Sequence, residues 1–274
     1  RIPISEGKRK KFQVWRWLWR HKYLIEIANI IHAHDVGFWY FPFRFLYPFK
    51  KFFITFHGYE TKCPPEKKAI RVRKLSAFLS NGVIHIGDYI RKWYGTKADI
   101  TMYGAVEEAR GVVSETPKDL RIVFIGRIEE DTGISVYAQV LWLLKQQHIK
   151  FHFEAVGDGS LRELLIPFGV VFGFVFRPEI HIAGSSVVFA SSYLSILLGL
   201  FYRKKVIAVF TNPLKKDYLS RAPFADWILI SNDPLEVIKF IQKNNKKNTE
   251  VAHRWVLRQT WGKVANLYEK LWQK

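Results

Sequence analysis

Cysteine is almost absent from this sequence of 274 residues, and acidic side chains are scarce relative to basic ones. The single Cys63 excludes an internal disulfide bond and a zinc site made of cysteines, which fits a reducing compartment and leads us to expect a cytoplasmic protein. Against 43 lysines and arginines stand only 24 aspartates and glutamates, so the formal net charge is +19. Such a charge attracts polyanions, whether nucleic acids, anionic lipids or phosphorylated ligands.

Neither a signal peptide nor a convincing membrane span is found in the sequence. It begins at Arg1 without the basic, apolar and small-residue order of a signal peptide, so we expect none. Residues 182–202 contain no charged side chain and precede Arg203, which imitates a membrane span with a positive flank. Serines make this stretch too polar, and we interpret it as a strand at 187–190 followed by a helix at 193–202.

Short apolar runs alternate with helix-like patterns along the whole chain. They predict strands at 30–35, 52–58, 82–86, 150–156, 169–172, 187–190 and 205–210, and one that begins at residue 120. They predict helices at 8–22, 67–79, 89–94, 134–147, 161–167, 178–183 and 193–202, further elements at 227–230 and 235–244, and one last helix that carries Trp255, Trp261 and Tyr268 on one face. Polar residues 107–119, with Gly111 and Pro117, fit a linker. Such alternation predicts parallel sheets covered by helices, with ligand sites at the carboxyl ends of the strands.

Two glycine turns are the most informative motifs. An apolar run stops at Gly126 in VFIGRIEEDTG (residues 123–133), and another stops at Gly157 in FEAVGDGSL (residues 153–161). A buried parallel strand that ends at glycine and leads into a helix is typical of a turn that faces a phosphate. The pair therefore predicts a nucleotide-type site.

The two turns resemble the C-terminal half of family-4 glycosyltransferases of the GT-B fold. HAHD (32–35), TFHGYE (55–60), residues 189–198 and 205–208, and TWGKVA (260–265) match that family in the same order. The resemblance implies an α/β protein whose two Rossmann-like parallel-sheet domains face each other across a cleft. It implies a truncated acceptor-side domain at 1–112, a nucleotide-sugar-binding domain at 119–248, and a C-terminal helix at 249–274 that packs back on the first domain.

The resemblance also implies roles for individual residues. His57 falls on a histidine near the donor sugar, and Arg127 falls on the turn that supports the diphosphate, so these two are the predicted catalytic residues. The positions implied for donor binding are Gly126, Arg127, Thr132, Gly157, Asp158, Gly159, Ser192, Tyr193, Leu194 and Leu198.

Three positions depart from the family's pattern. Thr132 stands where a lysine is expected, Leu198 where a glutamate would hold the ribose hydroxyls, and Ala190 on or beside the first of the paired glutamates. Loss of the lysine removes positive charge from the diphosphate site, since negative charge develops on the leaving diphosphate during transfer. Loss of the ribose glutamate is expected to weaken nucleotide binding rather than abolish the chemistry.

Fixed donors remain for that developing charge. The guanidinium of Arg127 is a forked, permanently charged donor. The backbone amides of Tyr193 and Leu194 open a predicted helix and supply further donors. No Asp-x-Asp pair occurs, so we expect neither a metal nor a cofactor beyond the donor, a nucleoside-diphosphate sugar.

We therefore expect retaining transfer of a sugar to a lipid-linked or polysaccharide acceptor at an anionic membrane surface. The basic, tryptophan-rich residues 8–22 and the aromatic segment 38–47 favour peripheral binding at the inner face of the membrane. One alternative is a catalytically impaired GT-B descendant that acts as a binding or scaffold protein. Another is nucleic-acid binding through charge alone, although no nucleic-acid module is visible.

Several of these residues have simpler interpretations. Arg127 is a candidate ion-pair partner for Glu129 or Glu130, and Asp158 is a candidate cap for a helix that starts near Ser160. His57 has the alternative interpretation of a surface or core histidine that only caps a strand end. The spacing of His32 and His34 puts both side chains on one face of a strand, which is also found in metal-binding hydrolases that form barrels.

Overall fold

A computed structural model describes residues 10–59, 62–107, 112–114, 117–243 and 246–274. Glu60 of the TFHGYE match and Gly111 of the expected linker lie outside these residues. The chain forms two compact units, Arg1–Met102 with Asn266–Lys274 (unit 1) and Tyr103–Ala265 (unit 2).

Unit 1 contains a four-stranded parallel sheet with the order β1-β2-β3-β4. Its strands are β1 (Ile30–His34), β2 (Lys51–Phe56), β3 (Gly82–Ile86) and β4 (Ile100–Met102). Its helices are α1 (Lys10–Arg20), α2 (Tyr23–Ile27), α3 (Phe41–Leu46), α4 (Lys67–Leu79) and α5 (Tyr89–Tyr94). Both faces of the central strand β2 are covered, so its apolar residues Phe52, Phe53, Ile54 and Phe56 are fully buried.

Unit 2 contains a six-stranded parallel sheet with the order β10-β9-β8-β5-β6-β7. Its strands are β5 (Arg121–Ile125), β6 (His152–Val156), β7 (Val170–Gly173), β8 (Val187–Ala190), β9 (Lys205–Val209) and β10 (Leu229–Ser231). Its helices are α6 (Ile134–Gln146), α7 (Pro178–Ala183), α8 (Tyr193–Phe201), α9 (Pro213–Ser220), α10 (Pro234–Gln242) and α11 (Lys246–Val256). The last helix, α12 (Trp261–Trp272), begins in unit 2, and its residues from Asn266 belong to unit 1.

The core of unit 2 lies between the sheet and α6. The ring of Tyr137 in α6 stacks on Phe189 of β8, with 4.4 Å between ring centroids, and both residues are fully buried. Phe124 of β5 packs edge-on against the same tyrosine. The apolar runs that predict the strands therefore supply this core, and their ends at Gly126 and Ala190 fall on one edge of the sheet.

The element order agrees with the predicted alternation, with several differences. Residues 161–167 form two 3-10 turns, Arg162–Leu164 and Ile166–Phe168, rather than a helix, because Pro167 lacks an amide and disfavours a helical conformation at Ile166. The last helix is two helices, α11 and α12. Strand β4 and the helices α2, α3 and α9 were not predicted. Strand β4 has only three residues, which carry no clear period.

Residues 182–202 divide into β8 and α8, as predicted. Within the described part of the chain, no helix is both long enough and apolar enough to cross a membrane.

Candidate active site

The order of the strands in unit 2 defines where a ligand is expected. From β5 the chain proceeds outward through β6 and β7, then returns to the other side of β5 to form β8. At such a switch point the connections leave adjacent strands in opposite directions, and the space at their carboxyl ends is free for a ligand. Gly126 and Arg127 follow β5, and Ser191 and Ser192 follow β8, so the candidate site lies at this point.

The two glycine turns contact each other through their backbones. A Cβ atom on Gly157 would lie 1.8 Å from the carbonyl oxygen of Gly126, and both glycines have positive φ angles, +142° and +145°. Backbone hydrogen bonds join the two segments, from the Gly126 amide to Val156 and from the Ile128 amide to Asp158. Glycine is thus required for a close approach that a side chain would prevent.

Arg127 is mostly exposed and forms an ion pair with Asp131, with 2.7 Å between Nη2 and Oδ2. The carboxylate partner is therefore Asp131, and the alternative that named Glu129 or Glu130 was wrong about the partner. An exposed ion pair contributes little free energy, so the guanidinium is free to exchange Asp131 for a more highly charged anion.

Glu129 holds the two turns together. Its carboxylate accepts hydrogen bonds from the Ser160 amide (3.0 Å) and the Ser160 hydroxyl (2.5 Å), and these bonds lower the pKa of Glu129. Asp158 accepts a hydrogen bond from the Gly159 amide (2.9 Å) and lies 3.6 Å from Arg162. No α-helix begins near Ser160, so the capping role considered for Asp158 is wrong.

Thr132 supports the loop rather than adding charge. Its side chain is buried, and its hydroxyl lies 2.7 Å from the carbonyl oxygens of both Arg127 and Glu129. The hydroxyl oxygen also lies 3.3 Å from the Glu129 amide nitrogen, which donates to it. Thr132 thereby fixes the turn that carries Arg127.

The start of α8 forms the other side of the site. Ser192 caps the helix by accepting from the Ser195 amide, and the Ser195 hydroxyl accepts from the Ser192 amide in return. The Tyr193 amide donates to the hydroxyl of Tyr218 at 2.9 Å, so this amide is already engaged. Leu194 and Leu198 lie one helical turn apart in α8. Leu194 is exposed and Leu198 is half-buried, so the accessible side of the helix is apolar at both positions.

Lys215 is a site residue that the sequence analysis missed. It lies in α9, is 4% exposed, and its ammonium donates to the carbonyl oxygen of Ser191. Burial lowers its pKa to about 8, with an opposing attraction from Asp131 and a further repulsion from Arg127. The available signal was Asn212 followed by Pro213, a typical helix start.

A histidine cluster lies at the carboxyl ends of β1 and β2 in unit 1. His34 Nδ1 lies 2.7 Å from His57 Nε2, so these two atoms share one proton. The His57 amide donates to Asp35. Burial lowers the pKa of His57, and Asp35 partly opposes this effect.

His32 completes the cluster as a neutral ring. The Trp272 indole donates to its Nδ1 at 2.9 Å, so its proton sits on Nε2 and is donated to Thr55. Burial, together with His34 and His57, lowers the pKa of His32 to about 4. The described residues contain no group of three or more His, Cys, Asp or Glu side chains placed to hold a metal ion. The four-stranded sheet that carries the cluster is also open and not a barrel, so the alternative of a barrel-forming hydrolase is wrong.

A cavity of about 870 Å³ lies elsewhere in unit 2. It is lined by Arg121 and His152, at the amino ends of β5 and β6, and by a Glu154–His181 pair whose side chains lie 2.7 Å apart. Ligands of parallel sheets bind at the carboxyl ends of the strands. We therefore place the candidate site at the switch point and not in this cavity.

Solved structures share this fold. A glycosyltransferase from Rickettsia africae superposes with a TM-score of 0.69 at 15% identity, over 98% of this chain and 84% of that one. HepE from Anabaena, in complex with UDP and glucose, superposes with a TM-score of 0.67 at 12% identity, over 96% of this chain and 83% of that one. TarM superposes with a TM-score of 0.67 at 16% identity. The match covers 98% of this chain but 59% of TarM, so the chain spans less than two thirds of that structure.

The fold is therefore the GT-B fold of glycosyltransferases, and the predicted α/β class with two parallel sheets is confirmed. No protein-family model and no curated protein matches the sequence. At these identities the likeness establishes the fold alone.

Proposed function

We propose that this chain is a retaining glycosyltransferase that takes a sugar from a nucleoside-diphosphate sugar. The observation that carries the proposal is the switch point of unit 2, where Gly126, Arg127 and the start of α8 meet at the carboxyl ends of adjacent strands. Helix starts at such a switch point typically offer backbone N–H groups to an anion. The amides of Gly126, Gly157 and Tyr193 already have partners here, so the permanent charge of Arg127 is the main contribution to anion binding in this proposal. HepE is described with UDP and glucose, and a second TarM structure contains UDP.

In this proposal Arg127 leaves Asp131 and binds the donor diphosphate. Its charge would stabilise the leaving diphosphate as the glycosidic bond to it breaks. Gly157, Asp158 and Gly159 would border the nucleoside, and the apolar Leu198 would contact the ribose without a charged anchor. His57 stays a proposed catalytic residue of unit 1, assigned by the resemblance.

The acceptor would be lipid-linked or polysaccharide, presented at an anionic membrane. The support for this part is that residues 12–49 of unit 1 expose large apolar side chains as well as the basic Arg16, Arg20 and Lys22. The apolar members are Phe12, Trp19, Ile27, Phe45 and Phe49. Such a combination favours insertion at a charged bilayer surface, and we propose the cytoplasmic face.

A non-catalytic descendant is the second candidate, favoured by the structural use of Thr132 and by Leu198 in place of a charged anchor. One experiment separates the two. Purified protein is incubated with UDP-sugars and ADP-sugars, and both donor binding and release of free nucleoside diphosphate are measured. Binding with slow donor hydrolysis supports the enzyme and eliminates the descendant. Binding without any release supports the descendant, and no binding at millimolar donor contradicts the enzyme.

A further inference from the structure

Lys215 places an ammonium group at the edge of the sheet where the candidate site lies. Its Nζ donates to the carbonyl of Ser191, the residue between the end of β8 and the cap of α8. Ser191 in turn faces the turn after β5, since a Cβ atom on Gly126 would lie 3.1 Å from its hydroxyl oxygen. The buried ammonium thus adjoins both segments that form the switch point.

The charge of Lys215 is not balanced by a neighbouring carboxylate. Among the described residues, Ser191 is the only acceptor for its three ammonium protons, and no carboxylate lies within ion-pair distance. Asp131 attracts it from farther away but is held by Arg127. The ring of Tyr218, 4.4 Å from Nζ, adds a weaker attraction. Burying a cation in this way is costly unless an anion joins it, which distinguishes Lys215 from a surface lysine.

We propose that Lys215 is a second cation of the donor site and binds the diphosphate together with Arg127. The two positive charges come from different elements, Arg127 from the turn after β5 and Lys215 from α9 behind Ser191. This inference rests on the proposed function, because it assumes that the switch point receives a nucleoside diphosphate.

Protonation of Lys215 is then coupled to binding. Burial, opposed by Asp131 and assisted by Arg127, lowers its pKa to about 8, and the facing group on its own helix is the Tyr218 ring. A diphosphate beside the ammonium raises this pKa, so the complex takes up protons at pH values where the free protein holds Lys215 partly neutral. Affinity for diphosphate therefore falls as the pH rises above about 8.

The test uses calorimetric titration of the full chain with inorganic pyrophosphate and with UDP. Lys215→Met removes the charge and keeps an unbranched side chain, whereas Lys215→Arg keeps the charge. Lys216→Met is the matched control, because it removes the same charge from the exposed neighbouring position. We expect Lys215→Met to raise the dissociation constants of both ligands by about ten- to a hundredfold, the effect of losing a hydrogen bond to a charged group. Lys216→Met should change these dissociation constants by less than about threefold.

Proton uptake provides a measurement that does not depend on the variants folding. The unaltered chain is titrated with UDP in two buffers of different ionisation enthalpy at pH 8.5, where the UDP phosphates are fully ionised because their last pKa lies near 6. Net proton uptake supports the inference. Its absence, or equal affinities of Lys215→Met and the unaltered chain, overturns the inference while the proposed function stands. If the unaltered chain binds neither ligand, the proposed function fails.

Discussion

The hydroxyl of Tyr137 ties together the carboxyl ends of two strands at the candidate site. It lies 3.1 Å from the carbonyl of Ala190 at the end of β8 and 3.0 Å from the carbonyl of Ile207 in β9. It also accepts a hydrogen bond from the Val209 amide at 3.2 Å. Tyr137→Phe removes this oxygen and keeps the stacked ring, so it isolates the contribution of the hydrogen bonds.

The expected cost follows from what the substitution leaves behind. The Val209 amide and at least one carbonyl lose a partner in a region where Ala190 and Val209 are at most 1% exposed. A buried polar group without a partner costs about 1–3 kcal/mol. We therefore expect Tyr137→Phe to lower the free energy of unfolding of unit 2 by about 2–4 kcal/mol.

Tyr40→Phe provides the matched control. Tyr40 is also a buried tyrosine, but its hydroxyl has no hydrogen-bond partner among the described residues. Removing that oxygen should leave the stability unchanged or raise it slightly. Urea unfolding gives the free energies, and hydrogen exchange of peptides that contain Val209 localises the effect. Equal stabilities for the two variants, or unchanged exchange at Val209 in Tyr137→Phe, would refute this account of the strand ends.

Three further predictions concern the site and the histidine cluster. Ser192→Ala removes the cap of α8 and should cost about 1 kcal/mol, with faster hydrogen exchange at the Ser195 amide; unchanged exchange would show that the cap is dispensable. Leu198→Glu should tighten UDP binding relative to Leu198→Gln if a ribose lies beside this position, and equal dissociation constants by calorimetry would remove the ribose from it. His32 has a pKa of about 4 in the folded protein, lowered chiefly by burial, and about 6.5 when unfolded, so the unfolded chain binds more protons between these values. Stability should therefore fall as the pH is lowered from about 6.5 to 4, and urea unfolding should show a smaller loss for His32→Gln than for the unaltered chain.

The fold was largely predictable because buried parallel strands are continuous apolar runs. Residues 122–125 and 187–190 are such runs, and the helical patterns between the strands fit the crossovers that parallel strands need. Glycine marked the two turns because a Cβ atom on Gly157 would collide with the backbone of Gly126, and because Gly126 has a positive φ that favours glycine. The sequence predicts a helix at 161–167 because Leu161, Leu164 and Leu165 recur at helical spacing, but Pro167 prevents the helix from forming.

The candidate site was less predictable because its key contacts join residues that are distant in sequence. A lysine in a polar segment is typical of a solvated surface, and only the packing of α9 buries Lys215 against Ser191. Engagement of the Tyr193 amide by Tyr218 is likewise a tertiary contact. The partner of Arg127 is local, yet the turn directs its side chain to Asp131 instead of the adjacent glutamates. The roles of His57, Arg127 and the donor-binding positions stay predictions.

The central claim is that the switch point of unit 2 binds a nucleoside diphosphate. A crystal structure of the chain grown with UDP tests it most directly. We predict the diphosphate at the carboxyl ends of β5 and β8, beside Gly126 and Ser192, with the Arg127 guanidinium turned from Asp131 to the phosphates. UDP bound instead in the cavity beside Glu154 at the amino ends of the strands would contradict the claim.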